Sequence, residues 1–137
     1  MLSLFDFKRF LDREGVGYDD FADYVGIHSG SDKFNFKYLY VISIDHDVCQ
    51  VNLETGIFFR NLSMDMFDTI NELNHTFRYY RFYIREPHHS CDEYMIVMQY
   101  DFDVNGFTTP ANIMQVMYYG SQLLEQAYPK IQRVIWG

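Results

Sequence analysis

Two histidines and a cysteine form the sharpest chemical cluster in the sequence. His88, His89 and Cys91 lie in one polar segment, and imidazole and thiolate groups are good zinc ligands. A closed zinc site needs four ligands, so His46 or Cys49 would have to approach from a second turn. We favour the alternative, a solvated loop without metal, because adjacent loop histidines point apart. The sequence therefore predicts no metal and no other cofactor.

The same residue types could support catalysis. Cys49 could act as a nucleophile with His46 as its base, but no carboxylate is specified to orient the imidazole. A buried strand cysteine is the reading that we favour. We accordingly predict a protein without enzymatic activity. A small metal-dependent or small-molecule-binding enzyme that uses His46, His88 and His89 is the alternative.

One acidic segment resembles the start of a calcium-binding loop. It runs from Asp101 to Gly106. The bidentate glutamate that such a loop needs at its twelfth position is absent, because Ile113 stands there. Gly-rich phosphate loops and the Gly-x-Ser-x-Gly turn are absent as well. Turn-forming acids therefore explain this segment better than a metal site does.

Aromatic residues are the other prominent feature, and they suggest a surface for a partner. The chain has 13 Phe and 12 Tyr, and each tyrosine joins a large apolar ring to a polar tip. We predict that another protein or peptide binds an aromatic sheet face at Phe36, Tyr38, Tyr40, Tyr79 and Tyr83. The alternatives are that helices cover this face, or that a homodimer buries it.

Length and charge limit the function classes. With 137 residues and 48% hydrophobic composition, the chain suits one domain, spanning residues 1–137, with one core. A net charge of −8 without a basic cluster disfavours nucleic acid. Neither a signal peptide nor an apolar membrane segment is visible, so we expect a cytoplasmic protein that does not bind membranes, with free thiols at Cys49 and Cys91.

The first half of the chain predicts one helix and then strands. Ser3 caps the helix and Gly15 ends it. A short edge strand is expected at 21–27, followed by a clearly alternating strand at 34–44. A further strand covers 48–53, with a turn or bulge at 54–56 and an extended continuation to residue 60.

The second half predicts a helix, two strands and a final helix. Ser63 caps the middle helix, which ends near Asn74. Strands are expected at 77–84 and 93–100, and Thr109 with Pro110 opens the last helix. Pro129 is expected to stop or kink it before a short tail at 131–136. The order α-β-β-β-α-β-β-α predicts an α+β fold, with an antiparallel sheet of about five strands and helices packed on one face.

Four short motifs in this order resemble the YbjN-like family, whose members share a type III secretion chaperone-like fold. Asn71-Glu72-Leu73-Asn74 is similar to the family's helix end, and Arg81-Phe82 is similar to its following strand. Gly106 to Pro110 resembles the entry to the last helix, and Tyr128-Pro129 with Ile131 resembles its close. The resemblance covers about residues 64 to 137.

The resemblance implies an α+β domain and, loosely, a chaperone-like or regulatory role in binding another protein. It implies no enzyme. This chain departs from the family pattern at Ala111, where the family often has Glu, and in a longer loop at Glu86 to Asp92. From the residues themselves we expect Asn71 and Asn74 to hydrogen-bond backbone where the helix turns into the next strand.

Overall fold

A computed structural model describes residues 1–136, which form three helices and one six-stranded antiparallel sheet. The strands lie in the order β1-β2-β3-β4-β6-β5. This architecture confirms the predicted α+β class. The elements in chain order are α1 (Leu4–Glu14), β1 (Asp19–Asp20), β2 (Val25–Ser31), β3 (Phe36–Asp45), β4 (Val48–Phe59), α2 (Met64–Thr76), β5 (Arg81–Arg85), β6 (Tyr94–Asp103) and α3 (Pro110–Trp136).

The helices pack against one face of the sheet. Side chains of each strand alternate between this covered face and the opposite face. On the covered face, the neighbouring residues Tyr40, Leu53, Met98 and Phe82 form one buried row across β3, β4, β6 and the edge strand β5. The next row, on the opposite or open face, consists of Leu39, Glu54, Val97 and Tyr83. The core therefore lies between the sheet and the helices, as the sequence predicts.

Helix caps follow the sequence signals. Ser3 and Asp6 form a reciprocal capping box, and Gly15 ends α1 with a φ of 73°. The Ser63 hydroxyl accepts a hydrogen bond from the Met66 backbone N–H at 3.1 Å. Each serine cap satisfies a backbone N–H that the first helical turn would otherwise leave unpaired.

The strands between α1 and α2 differ in detail from the prediction. The edge strand expected at 21–27 begins at Val25, because the Phe21 N–H donates to the Tyr24 carbonyl and closes a turn. A two-residue β1 precedes this turn. Of the turn or bulge predicted at 54–56, the structure shows the bulge, inside one continuous β4 where Gly56 adopts a φ of 70°.

The last helix does not end at Pro129, contrary to the prediction. It continues to Trp136. Ala127, Tyr128 and Ile131 are buried on both sides of the proline, while Pro129 itself is exposed. Burial of these neighbours outweighs the lost backbone hydrogen bond, because the proline ring disturbs only the outer side of the helix.

The strand predicted at 77–84 is also shorter than expected, since β5 begins only at Arg81. Tyr79 has a φ of 78°, a left-handed conformation outside the extended region that regular strands occupy. The chain therefore leaves the sheet edge at this point. Tyr80 turns beneath α3, where its hydroxyl donates to the Val116 carbonyl at 2.8 Å.

Candidate partner-binding surface

The histidines of the predicted chemical cluster do not assemble a site. His46 lies in the turn between β3 and β4, and His88 and His89 lie in the loop between β5 and β6. His88 Nδ1 contacts the Ser90 hydroxyl at 2.7 Å. Across residues 1–136, no three His, Cys, Asp or Glu side chains come together as a metal site.

Cys49 is buried on the covered face of the sheet. Burial raises the pKa of its thiol to about 12, and the nearby negative charge of Asp101 adds to the rise. A nucleophilic cysteine needs a lowered thiol pKa. The arrangement therefore suits a core residue, as the sequence predicts.

Three residues of the predicted aromatic face lie under α3. Tyr38 and Tyr40 are 5% and 1% exposed, and both hydroxyls bond to Ser121. The Phe36 ring stacks on Tyr128 with 4.5 Å between centroids. Since α3 covers this part of the sheet, these three side chains contact the helix, and their contact with a partner stays a prediction.

The other two predicted residues lie outside that core. Tyr83 is half-buried on the open face. Tyr79 is 72% exposed and stands where the chain leaves the sheet edge. The prediction of a partner contact therefore stays open for Tyr79 and Tyr83.

An apolar groove lies beside Tyr79, between the end of β6 and the first turns of α3. Its volume is about 430 Å³. The Tyr79 ring stacks on Tyr100 with centroids 5.9 Å apart and meets Tyr119 edge-on at 6.2 Å. We call this surface the tyrosine groove; its lining residues are Tyr79, Tyr100, Phe102, Asn112, Gln115, Val116 and Tyr119.

The backbone departure at Tyr79 creates the tyrosine groove. Because β5 begins late, it pairs with β6 only over residues 95–99, whereas β6 continues to Asp103. The Tyr119 hydroxyl donates to the Arg78 carbonyl at 3.2 Å and holds the departing chain against α3. The outer side of β6 therefore has no strand partner beside residues 100–103, and the groove opens next to this unpaired end.

The two faces of the β6 end differ in polarity. Tyr100 and Phe102 point towards α3 and line the groove, and burial raises the pKa of the Tyr100 hydroxyl. Asp101 and Asp103 are exposed on the open face. Within the described chain, neither carboxylate lies within 4 Å of a lysine or arginine nitrogen.

Asn74 protects the adjacent strand edge. Its side-chain amide donates to the Phe82 carbonyl at 2.9 Å and accepts from the Phe82 N–H at 2.7 Å. A single side chain thus takes the place of a neighbouring strand at β5. The expectation that Asn74 bonds backbone is confirmed.

Sequence reasoning found Tyr79 but missed most of the tyrosine groove. Tyr100 is the last residue of the predicted strand, and Phe102 alternates with Asp101 and Asp103 beyond that end, so this signal was available. Val116 and Tyr119 lie three residues apart on α3, so they share a face beside the buried stripe. Their meeting with β6 depends on the left-handed Tyr79, which the sequence does not indicate.

Comparisons with known proteins agree with this fold. A family model described as "YbjN: Putative bacterial sensory transduction regulator" matches residues 6–133. The chain is also similar to a structure described as "Crystal structure of YbjN, a putative transcription regulator from E. coli", with a TM-score of 0.70. Sequence identity is 8%, over 96% of this chain and 90% of that chain, so this likeness concerns the fold alone.

One further comparison and the helix lengths give negative findings. No curated protein matches the sequence. None of the helices within residues 1–136 is long and apolar enough to cross a membrane.

Proposed function

The chain belongs to the YbjN family, and we propose that it is a non-enzymatic bacterial regulator that acts by binding another protein in the tyrosine groove. The observation that carries the proposal is the groove itself. It presents an apolar concave surface lined by tyrosines, and no described part of the chain fills it. The description of the family as a sensory transduction regulator is consistent with action through a partner.

The composition of the groove supports a protein partner. Tyr79, Tyr100 and Tyr119 offer apolar rings with polar hydroxyl ends. Tyrosine is enriched at protein interfaces because its large ring contributes contact area at a small cost in conformational entropy. Their mutual contacts hold the rings in place before binding, which reduces the entropy cost of association.

The charge distribution argues against nucleic acid as the partner. The chain carries a net charge of −8, and Asp101 and Asp103 lie exposed on the other face of the same strand end. Phosphate backbones would be repelled there. The solved E. coli relative is described as a transcription regulator, but that description belongs to the other protein.

The enzymatic alternative receives less support. His46, His88 and His89 lie on exposed turns and loops and share no cavity. Cys49 is buried as a neutral thiol. A regulator that binds a partner uses the surface features better than an enzyme does.

Two tyrosines on α3 provide a matched test. Tyr119 lines the groove, whereas its neighbour Tyr118 is 68% exposed outside it. Tagged full-length protein would be recovered from its native bacterium, and copurifying proteins would be quantified for wild type, Tyr119→Ala and Tyr118→Ala. We expect one identified protein to be retained by wild type and Tyr118→Ala and to fall about tenfold with Tyr119→Ala.

The thermal stability of both variants must be measured first, because Tyr119 also bonds Arg78. If Tyr119→Ala folds and retains every protein that wild type retains, the groove is not the binding site. Tyr119→Phe, which keeps the ring, should recover most of the binding.

A further inference from the structure

We propose that the partner contributes an extended segment with alternating basic and apolar residues, which adds as a strand to the free edge of β6 at residues 100–103. This inference rests on the proposed function, since the apolar residues would occupy the tyrosine groove. It specifies both the conformation of the partner segment and its charge pattern.

The edge of β6 is free because β5 stops short. On one side, β4 pairs with β6 as far as Asp103. On the other side, β5 pairs only over 95–99. No backbone group elsewhere in residues 1–136 bonds to the outer edge of 100–103. Since strand residues alternate in direction, two of these four residues point their N–H and C=O groups outward.

The segment 100–103 is the free edge that adjoins the tyrosine groove. The outer side of β2 is also unpaired beyond Gly26, whereas parts of β5 and β1 are protected. Asn74 occupies the outer edge of β5 through both of its bonds to Phe82. At the far side of the sheet, β1 has only two residues, and both are aspartates paired with Lys8 or His28. Short, charged edge strands resist pairing with another chain. Residues 100–103 also carry two aspartates, Asp101 and Asp103, whose charge disfavours an acidic or neutral added strand and favours a basic one.

Side-chain alternation sets the pattern of the added strand. A neighbouring strand places its side chains beside those of β6 on the same faces. One set would therefore meet Tyr100 and Phe102 in the groove, where aromatic or long aliphatic residues fit. The other set would meet Asp101 and Asp103 on the open face, where arginine or lysine fits.

The charges distinguish this occupant from a second copy of the chain. Asp101 has a neutral neighbour, Gln99, whose Nε2 lies 3.1 and 3.2 Å from its carboxylate oxygens. Asp45 ends β3 and Asp47 lies in the turn to β4, at the same end of the sheet as Asp103. A symmetric dimer through this edge would bring two such acidic ends together, with −8 on each chain. A basic segment would neutralise them.

Synthetic peptides provide the test on the full chain. The probe is a capped octapeptide that alternates arginine with phenylalanine or leucine; the controls are its Arg→Glu counterpart and a version with a central proline. Backbone amide exchange would be measured by NMR with and without each peptide. We expect the basic peptide to slow exchange at the outward amides within 100–103 at least fivefold, and the two controls to change it little.

Charge variants sharpen the test. Asp101→Asn combined with Asp103→Asn should weaken the basic peptide about three- to tenfold, and added salt should do the same to wild type. Asp32→Asn combined with Asp92→Asn removes the same charge from exposed positions elsewhere and should leave binding within about twofold.

Unchanged exchange at 100–103 with saturating peptide would overturn the inference. Equal binding of the acidic or proline-containing peptide would also overturn it, as would formation of a dimer that protects the same amides without peptide. If the identified partner still depends on Tyr119 in these cases, the proposed function stands and only the strand addition fails. If that dependence is also missing, both fail.

Discussion

Tyr80 lies against Gly120 so closely that a Cβ added to the glycine would sit 2.6 Å from the tyrosine Oη. This contact fixes the chain just after it leaves the sheet edge. The Tyr80 hydroxyl reaches past the glycine to the Val116 carbonyl on the same helix. The tyrosine groove and the free edge of β6 therefore depend on an α3 residue with no side chain.

Substitution of Gly120 tests this dependence. Alanine favours a helix over glycine by about 1 kcal/mol, yet we expect Gly120→Ala to lower the free energy of unfolding by about 1–3 kcal/mol, because Tyr80 must move. Chemical denaturation would measure the change. Gly17→Ala is the control, since an added Cβ there meets no atom within 4 Å. A Gly120→Ala protein as stable as wild type would show that Tyr80 is not tightly packed.

Asn74 and Asn71 separate the edge-protecting role from general helix effects. Asn74→Ala removes both bonds to Phe82 and should cost about 1–2 kcal/mol of unfolding free energy. Asn71 is exposed on the same helix and makes no side-chain hydrogen bond within the described residues, so Asn71→Ala should change stability by less than about 0.5 kcal/mol. Equal effects of the two substitutions in urea denaturation would contradict a special role for Asn74.

The left-handed backbone at Tyr79 predicts a difference between two replacements that both remove the ring. Asparagine tolerates a positive φ, whereas β-branched valine does not. Tyr79→Val should therefore be less stable than Tyr79→Asn by about 1–2 kcal/mol in thermal or urea unfolding. Equal stability would mean that position 79 relaxes to an ordinary backbone conformation.

Buried protons predict a loss of stability at alkaline pH. Burial raises the pKa of Tyr40 and Tyr80, and it raises the pKa of Cys49 to about 12. The unfolded chain releases these protons from about pH 9 upwards, whereas the folded chain retains them. The free energy of unfolding should be independent of these groups below pH 8 and fall as the pH rises above 9.

Urea titrations between pH 7 and pH 11 would follow this loss. Thiol modification gives a second readout: native protein should react readily only at the partly exposed Cys91. Rapid modification of Cys49 in native protein at pH 8 would contradict the burial of its thiol.

Much of the fold follows from local patterns in the sequence. Alternation predicts β3, and the serine caps at positions 3 and 63 mark two helix starts. These signals are strong because they reflect which side of an element is buried. The sequence also indicates the order of elements, and hence the antiparallel sheet with helices on one face.

The candidate site is less predictable because it arises from exceptions to those patterns. The alternating aromatics of β3 look like a surface, but whether a helix covers them depends on α3 packing through Pro129. Conversely, residues 77–80 look like a strand, and only the left-handed Tyr79 removes them from the sheet edge. Tertiary packing decides both cases, and single-sequence periodicity does not record it.

Site-specific photo-crosslinking in the native bacterium tests the central claim most directly. A photoreactive amino acid would replace either Val116, inside the tyrosine groove, or Tyr118, which is exposed outside the groove on the same helix. We predict a discrete crosslinked product from position 116 that contains the same partner protein whose recovery depends on Tyr119, and none from position 118. Crosslinks to that partner from position 118 with none from position 116 would contradict binding in the groove.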